Sequence, residues 1–425
     1  MACAAKRLLV RSAIPWGCAL AALCSTPASA GGLFSADTLE VNGDLRLVAV
    51  DGEKSWVDGG FGKLRSGSRG DFRVRPQLGN ANLIWKPQFT WSLGATIVGS
   101  LQGGERTEAG LSQAYLTFKP MRGTKIAASA RLGLMWPPIS LEHDGADWHV
   151  RDSITPSAIN SWIGEEVRPV AAEATLAANL GEHQLRATAA VMAANDTAGT
   201  LLTFRGWALH DRTTLAFRRQ PLPPLGDIGG YQAPFTHPLL DLEHGFARRP
   251  GYYAKLTWQP PIPVRLELFR YDNRTDPEVF NQDFEWGWRT QFNHLGVVAD
   301  LGHATSLKLQ AIDGRTRMGF VEIGGRHWVD NRFRSGFAML THAFGPVGIS
   351  ARAEAFRTRN RGSDVDSEYD EKGWSAMLAG KRDWGHFTGL LELLHVSSRS
   401  EHLDEHGLLP RRRQTQAQAE LRMRW

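Results

Sequence analysis

Polar and apolar residues alternate along most of this 425-residue chain. The clearest case is the final segment, "QAQAELRMRW", where apolar side chains take every odd position from Ala417 to Trp425 and polar side chains every even position from Gln416 to Arg424. Successive side chains of a β-strand point to opposite faces. The segment therefore predicts a strand with one apolar face and one polar, charged face.

The same two-residue period recurs throughout the chain. It is evident in the segments 39–49, 89–102, 125–136, 185–193, 252–258, 264–268, 333–343 and 347–355. No comparable stretch sustains the 3.6-residue period of an amphipathic helix, so the pattern predicts an all-β protein.

The connections between these segments alternate between short and long. Short ones such as "WKPQF", "LGEHQ" and "LGHAT" separate longer polar stretches. The long stretches are 51–71, 102–110, 137–166, 194–200, 219–250, 272–285, 321–332, 359–371 and 398–413. This arrangement is typical of a transmembrane, antiparallel, up-and-down β-barrel, with tight turns at one end and long loops at the other. The segments give about eighteen strands, with sixteen as the alternative. Strand boundaries are least distinct in 200–219 and 304–332.

The first thirty residues have the features of a secretory signal peptide. A basic start, with Lys6, Arg7 and Arg11, precedes a short apolar run and the small-residue site Ala28–Ala30. We therefore expect residues 1–30 to be removed and residues 31–425 to form the barrel. All three cysteines lie in the removed part, so the mature chain has no disulfide, thiolate metal ligand or cysteine nucleophile.

Two further features fit a barrel in a membrane. After the signal peptide there is no run of about eighteen apolar residues, which excludes membrane-spanning helices. Tryptophans near predicted strand ends are expected to form a girdle at the membrane–water interfaces. They are Trp85, Trp91, Trp136, Trp258, Trp286, Trp288, Trp374, Trp384 and Trp425.

A barrel of sixteen or eighteen strands is too wide to be filled by the side chains of its own strands, so it leaves a lumen. The inward-facing positions are rich in arginine. We call Arg46, Arg73, Arg75, Arg131, Arg422 and Arg424 the basic wall, because pairing of the first and last strands brings most of them together. Either the basic wall attracts anions through a field focused by the lumen, or it is ordinary hydrated arginine without a selective role.

The longest acidic connection, 137–166, follows the fifth predicted strand. Its carboxylates are Glu142, Asp144, Asp147, Asp152, Glu165 and Glu166. Folded into the lumen, they would oppose the basic wall and create a transverse field at a constriction. Left outside, they would form a solvated acidic loop.

The signal peptide, alternating strands, long acidic loop and terminal aromatic residue together resemble the bacterial outer-membrane porins. The stretch "SQAYLTFKP…ARLGLMWPPISLE" also resembles the strand 4–strand 5–loop passage of porins related to the phosphate-selective type. The resemblance implies a Gram-negative outer-membrane location after export through the periplasm, and an inward-folded loop at 137–166. It also implies a homotrimer, and Trp425 as a signal read by the barrel-assembly machinery. Only ten of the 49 basic residues are lysine, so a lysine-rich, phosphate-selective lumen is not implied.

The function expected is a water-filled diffusion channel for small hydrophilic solutes with modest anion preference. We expect no enzymatic activity, cofactor or metal, and no nucleic-acid partner. The alternatives are a barrel enzyme acting on lipid or lipopolysaccharide, and a non-conducting structural or adhesion barrel. The chain contains neither G-x-S-x-G nor H-E-x-x-H, and we interpret its two His–acid clusters, around 143–149 and 401–406, as solvated loops.

The segment "PRRRQ" precedes the last strand and is expected at the outer rim. Clustered arginine binds phosphate well, so Arg411, Arg412 and Arg413 are candidate contacts for lipopolysaccharide phosphates. Outer-membrane lipid and lipopolysaccharide are therefore expected partners.

Overall fold

The computed structural model describes residues 33–67, 73–104, 107–122, 125–225, 230–363, 370–405 and 407–425. The predicted signal peptide, 1–30, lies outside the described residues, and so does the side chain of Arg73.

Sixteen antiparallel strands form a closed barrel. They are β1 (Leu39–Val50), β2 (Arg73–Trp85), β3 (Leu93–Gln102), β4 (Glu108–Arg122), β5 (Ile126–Leu134), β6 (Val170–Leu180), β7 (His183–Ala193), β8 (Gly251–Gln259), β9 (Val264–Asp272), β10 (Arg289–Gly302), β11 (Thr305–Val321), β12 (His327–Phe344), β13 (Val347–Asn360), β14 (Glu371–Trp384), β15 (Phe387–Ser400) and β16 (Arg411–Arg424). β1 and β16 close the ring, with Val50 opposite Gln416 and Asn42 opposite Arg424. The predicted all-β, antiparallel closed barrel is confirmed, with the lower of the two strand counts.

The higher count fails in the segment 200–219. Thr200–Arg205 forms a short helix, α2, and the residues after it follow an irregular path that is mostly buried. Its apolar residues, such as Leu202 and Trp207, join a core inside the barrel. A short apolar run fits a buried helix as well as a strand, which is why periodicity did not separate the two.

The two ends of the barrel differ. Seven short connections lie at one end, here called the turn end, and their described parts are 86–92, 125, 181–182, 260–263, 303–304, 345–346 and 385–386. The other end, here called the loop end, carries longer connections, and their described parts are 51–67, 103–104 and 107, 135–169, 194–225 and 230–250, 273–288, 322–326, 361–363 and 370, and 401–405 and 407–410. The largest loops, 135–169 and 194–250, follow β5 and β7.

Side chains alternate between the interior and exterior of the barrel. On β13, Arg352 and Glu354 are buried inside, whereas Ile349, Ala351 and Ala353 are exposed outside. Large apolar side chains stand out from the exterior of many strands, for example Leu45, Leu268, Leu378 and Leu391. Such a surface is unfavourable in water and favourable in lipid.

The helices lie in the loops. α1 is Ala158–Glu166, α2 is Thr200–Arg205 and α3 is His402–Glu405; 3-10 turns occupy Ala36–Thr38, Trp56–Asp58 and Gly245–Ala247. Two short ladders pair His143–Asp144 with His149–Val150 and Gln220–Pro221 with Phe235–Thr236. In the described part of the chain, no helix is long and apolar enough to cross a membrane.

α1 lies inside the barrel, in the half nearer the loop end. The Ser157 hydroxyl accepts a hydrogen bond from the Asn160 amide at 3.4 Å and caps the helix, and all nine residues of α1 are buried. The Trp162 ring packs on Phe292 of β10 and Phe333 of β12, with centroids 5.4 and 5.1 Å away. This half of the lumen is therefore filled by packed side chains.

Candidate functional site

The loop segment 137–166 crosses the lumen and is attached to strands on nearly opposite sides of it. Lys255 Nζ of β8 donates to the Pro138 carbonyl oxygen at 2.6 Å. Asn42 Nδ2 of β1 donates to Asp147 Oδ2 at 3.0 Å. The Ala158 amide donates to Glu354 Oε2 of β13 at 2.8 Å. The segment is thus held from several directions by strand side chains that point inward.

Glu142 fixes the middle of this segment. It forms an ion pair with Arg352 Nη1 at 2.6 Å, and its carboxylate accepts hydrogen bonds from the Ser157 amide and the Asn160 side chain. Burial opposes ionisation, but the Arg352 charge and these hydrogen bonds hold the pKa of Glu142 below its ordinary value. Glu142 is 2% exposed, so this carboxylate anchors the loop and does not face a solute.

Glu165 and Glu166 connect α1 to the loop 194–250. Glu165 pairs with Arg205 at 2.6 Å and with His210 at 3.1 Å. Burial opposes ionisation of Glu165 too, yet these partners lower its pKa to about 2. Both carboxylates are buried, so they pack the two loops together inside the lumen.

The surroundings of Glu166 differ from those of Glu165. Its carboxylate accepts hydrogen bonds from the Leu201 and Leu202 amides at 2.8 and 3.2 Å, and from Trp162 Nε1 at 2.7 Å. These donors lower the pKa of Glu166 less than burial raises it, and the resulting pKa is about 7.

The three aspartates of the segment lie nearer the turn end. Asp147 Oδ1 is 2.9 Å from His149 Nδ1, and Asp152 Oδ2 is 2.9 Å from Lys308 Nζ. Asp144 is exposed and accepts a hydrogen bond from the Gly145 amide at 2.9 Å. Of the six carboxylates, Asp144 is the one most open to solvent.

Arg46 of the basic wall lies in a cluster of carboxylates. Its guanidinium is within 2.7 Å of Asp44, Asp211 and Glu420, and Arg46 is 5% exposed. Arg65 also binds Asp211, at 2.9 Å. The positive charge of Arg46 is therefore balanced locally.

The other arginines of the basic wall whose side chains are described also have protein partners. Arg131 binds Glu173 with two hydrogen bonds, at 2.7 and 2.8 Å. Arg422 donates to the Ser153 carbonyl at 2.8 Å, Arg424 lies 3.2 Å from Glu40, and Arg75 donates to the Gly67 carbonyl at 3.4 Å. Arg73 is the first residue of β2, with its side chain outside the described part.

The lumen retains a solvent-accessible cavity in the half nearer the turn end. It has a volume of about 850 Å³ and lies among β3 to β9, with Pro138 of the loop segment in its wall. Five basic side chains line it, Lys119, Arg131, Arg186, Lys255 and Arg265, against two acidic ones, Glu173 and Glu267. We call this cavity the basic chamber. Basic side chains thus outnumber acidic ones in the wall of this cavity.

Exposed basic side chains line the basic chamber toward the turn end, and packed aromatic side chains lie on its loop-end side. Lys119, Arg186 and Arg265 are exposed. Tyr253, by contrast, is 1% exposed, and its hydroxyl donates to Glu173 Oε2 at 2.8 Å while its ring stacks on Phe269.

A second cavity, of about 290 Å³, lies beside β1 and β16. Its charged lining consists of Arg46, Arg151, Lys381, Arg422 and Arg424 against Asp44, Asp144, Asp147, Asp211 and Asp383. The formal charges balance in this cavity, whereas basic side chains outnumber acidic ones in the basic chamber.

Most of the basic chamber was missed at the sequence level. Lys119, Arg186, Lys255 and Arg265 were not selected, because they come from four separate strands and no local motif joins them. One feature of the sequence could have identified the chamber. Successive strands on this side of the barrel each carry a basic residue at an inward-facing position close to a short turn.

The tryptophan girdle is only partly formed. Trp91, Trp258, Trp384 and Trp425 are exposed near the turn end, and Trp374 is exposed on the exterior near the loop end. Three other predicted members, Trp136, Trp286 and Trp288, are at most 2% exposed and pack in the interior or among the loops. The prediction was wrong for these three, because position near a strand end does not distinguish a lipid-facing from an inward-facing side chain.

Trp425 completes the seam between the first and last strands. Its amide and carbonyl both exchange hydrogen bonds with Val41, at 2.9 Å each. The ring is 58% exposed and lies edge-on to Phe387, with centroids 6.1 Å apart.

The His–acid segment around 143–149 is held by local contacts. His143 Nδ1 lies 2.9 Å from Ser140 Oγ, its ring stacks on Trp148, and burial lowers its pKa to about 3. Among the described residues, no three His, Cys, Asp or Glu side chains converge as metal ligands.

Comparisons with solved structures show what fold the chain has. The outer-membrane channel DcaP of Acinetobacter baumannii is 10% identical, with a TM-score of 0.53 over 92% of this chain and 99% of that one. The anion-selective porin from Comamonas acidovorans is 12% identical, with a TM-score of 0.51 over 91% and 99%. No protein-family model and no curated protein matches the chain. The chain thus has the fold of outer-membrane porins.

Proposed function

We propose that this protein is a channel of a Gram-negative outer membrane, with a narrow passage for small hydrophilic solutes and a preference for anions. The observation that carries the proposal is the basic chamber, with five basic and two acidic side chains in about 850 Å³ of open lumen. The porin fold and the apolar exterior support the location.

Anion preference would arise in the basic chamber more than in the basic wall. Arg46 and Arg131 are paired with carboxylates and are not exposed. Arg186 is exposed in the chamber, and Arg265 is exposed there too, although it shares the Glu267 carboxylate with Lys255. A confined excess of positive charge attracts anions before they reach any narrower point.

The segment 137–166 would set the size of the passage. Its buried acids, Glu142 and Glu165, fix the loop to β13 and to the loop 194–250, so they act as anchors of the constriction. Trp162 and its neighbours fill the lumen on the loop-end side of the chamber, so we expect a low unitary conductance. Insertion by the barrel-assembly machinery and assembly as a homotrimer are part of the proposal.

The test is single-channel recording of the refolded chain in planar bilayers under a KCl gradient. R186S/R265S should shift the reversal potential toward cation permeation, since it removes two exposed charges from the chamber. R248S/R249S removes two exposed arginines from loop 194–250 and should leave selectivity unchanged. A cation-preferring wild type, or equal shifts in both variants, would refute the role of the chamber.

A non-conducting structural barrel is the second candidate, favoured by the dry packing of α1. All nine residues of α1 are buried, and Trp162 contacts rings from two strands. Absence of current both in the wild type and in a variant with a loosened 137–166 segment would favour this candidate.

A further inference from the structure

Four arginines form a compact group on the exterior of the barrel, near the loop end. Arg332 of β12 lies directly opposite Arg359 of β13, and Arg334 lies directly opposite Arg357. All four are exposed and share the outward parity of their strands. Opposed Cβ atoms in antiparallel strands are about 5 Å apart, and positions i and i+2 about 6.6 Å apart. We call these four residues the arginine square.

Further basic residues continue the arginine square along the sheet. Arg315 of β11 lies opposite Arg332, and Lys372 of β14 lies opposite Arg357. Like charges directly opposite one another destabilise a sheet unless counter-charges compensate them. The arrangement therefore favours an anionic ligand.

The protein compensates this charge only in part. Arg334 pairs with Asp313, and Arg315 pairs with Asp330. Within the described ranges, no ion pair reaches Arg332, Arg357 or Arg359. The Asp370 carboxylate interacts electrostatically with Arg357 and Arg359 but forms no ion pair with either.

An apolar groove begins where the arginine square ends. The next outward pairs toward the turn end are Gly336 with Ala355 and Ala338 with Ala353. These small residues form the floor of an exterior groove of about 520 Å³, with Leu295 and Leu309 in its wall. Elsewhere on the exterior, large apolar side chains project from the strands. The small residues at these positions do not project as far, and a groove results.

We infer that the arginine square and this groove bind one phosphorylated lipid of the outer leaflet, with phosphate on the guanidiniums and an acyl chain in the groove. Arginine binds phosphate with paired, charge-assisted hydrogen bonds. A phosphorylated lipid has a phosphate at one end and an acyl chain at the other. Along β12 and β13 the arginine square and the apolar groove follow each other in the same order. The inference rests on the proposed outer-membrane location, which sets the loop end in the outer leaflet.

A second copy of the chain fits this surface less well. It would have to present carboxylates to the arginine square and a narrow apolar ridge to the groove at the same time. A free phosphate ion would satisfy the arginines but not the groove. Both occupants are therefore separable from a lipid by experiment.

The test uses the detergent-solubilised full chain and fluorescent diphosphoryl lipid A in mixed micelles. R332Q/R359Q removes one opposed pair and should weaken lipid A binding about tenfold or more, since two charge-assisted contacts are lost. R248Q/R249Q, with the same charge change at the same end of the barrel, should bind like the wild type. A353F fills the groove and keeps the arginines, and should also weaken binding.

Each other outcome argues against the inference. Equal affinity for lipid A and its dephosphorylated form would refute the phosphate contact, and full competition by inorganic phosphate would indicate a free-ion site. Equal loss in both arginine variants would indicate general charge attraction. Loss of oligomers in A353F with unchanged lipid affinity would identify an interface between copies. Conductance is measured separately, so a silent barrel that binds lipid A refutes only the channel proposal.

Discussion

Removing Arg352 should release the segment 137–166 from the wall of the lumen. Its guanidinium is fully buried and lies 2.6 Å from Glu142 and 3.6 Å from Glu354, and it also donates to the Thr155 and Pro156 carbonyls at 2.9 and 3.0 Å. R352M leaves both carboxylates buried without their cation. Breaking a buried pair in this way typically costs about 3–5 kcal/mol.

This loss of stability should weaken docking of the segment 137–166 more than it weakens the barrel, because the strand ladders on both sides of β13 remain hydrogen-bonded. We expect faster proteolysis within 137–166 and larger unitary currents, with the heat-modifiable barrel band retained on gels. E142Q/R352M should recover part of the loss, since it removes an acid together with its cation.

R249M is the matched control. The ion pair of Arg249 with Asp276 has the same chemistry at 3.0 Å, but the two side chains are 50% and 30% exposed, so its loss should cost about 0–1 kcal/mol. If R352M were as resistant to protease as R249M and carried wild-type current, the anchoring role of Arg352 would be wrong.

Three further predictions concern the loop and the seam. The pKa of Glu166 is raised to about 7, so its protonated form stabilises the fold; this contribution is complete below the ordinary pKa of about 4.5 and is lost as pH rises through 7. Loop protection should therefore fall between pH 5 and pH 8, and E166Q should remove that fall, whereas an unchanged pH profile in E166Q would contradict the assignment. W162A should destabilise docking of α1 by about 3–5 kcal/mol in denaturant titrations of loop protection, since it leaves a cavity among Phe292 and Phe333. Deleting Trp425 should lower the yield of assembled barrel in outer membranes more than the conductance of the barrels that form; equal yields would argue against its assembly role.

Alternation along the strands predicted the closed barrel only together with the succession of short and long connections. In a membrane, a closed ring of half-apolar strands satisfies both faces and leaves no unpaired edge. The final segment shows this directly. Gln416, Gln418 and Glu420 are buried inside, while Ala417 and Leu421 are exposed outside. The pattern did not fix the number of strands, since the apolar residues of 200–219 are equally suited to a helix packed in the lumen.

The charged residues show where sequence reasoning stops. Arg46 has the inward parity predicted from its strand, but its partner Asp211 comes from a loop 165 positions later, so no local pattern could reveal that the charge is balanced. Folding of the barrel and its loops likewise brings Glu142 to Arg352 and gathers the basic side chains of the chamber.

The sequence by itself determined that the chain forms half-apolar strands, which face of each is polar, and that short turns alternate with long loops, because these features follow from residues close together in the chain. Tertiary structure alone decided what fills the lumen and where excess charge remains. Those features depend on how two long loops pack against inward side chains of distant strands, and a side chain's net effect depends on partners that the chain order does not place beside it.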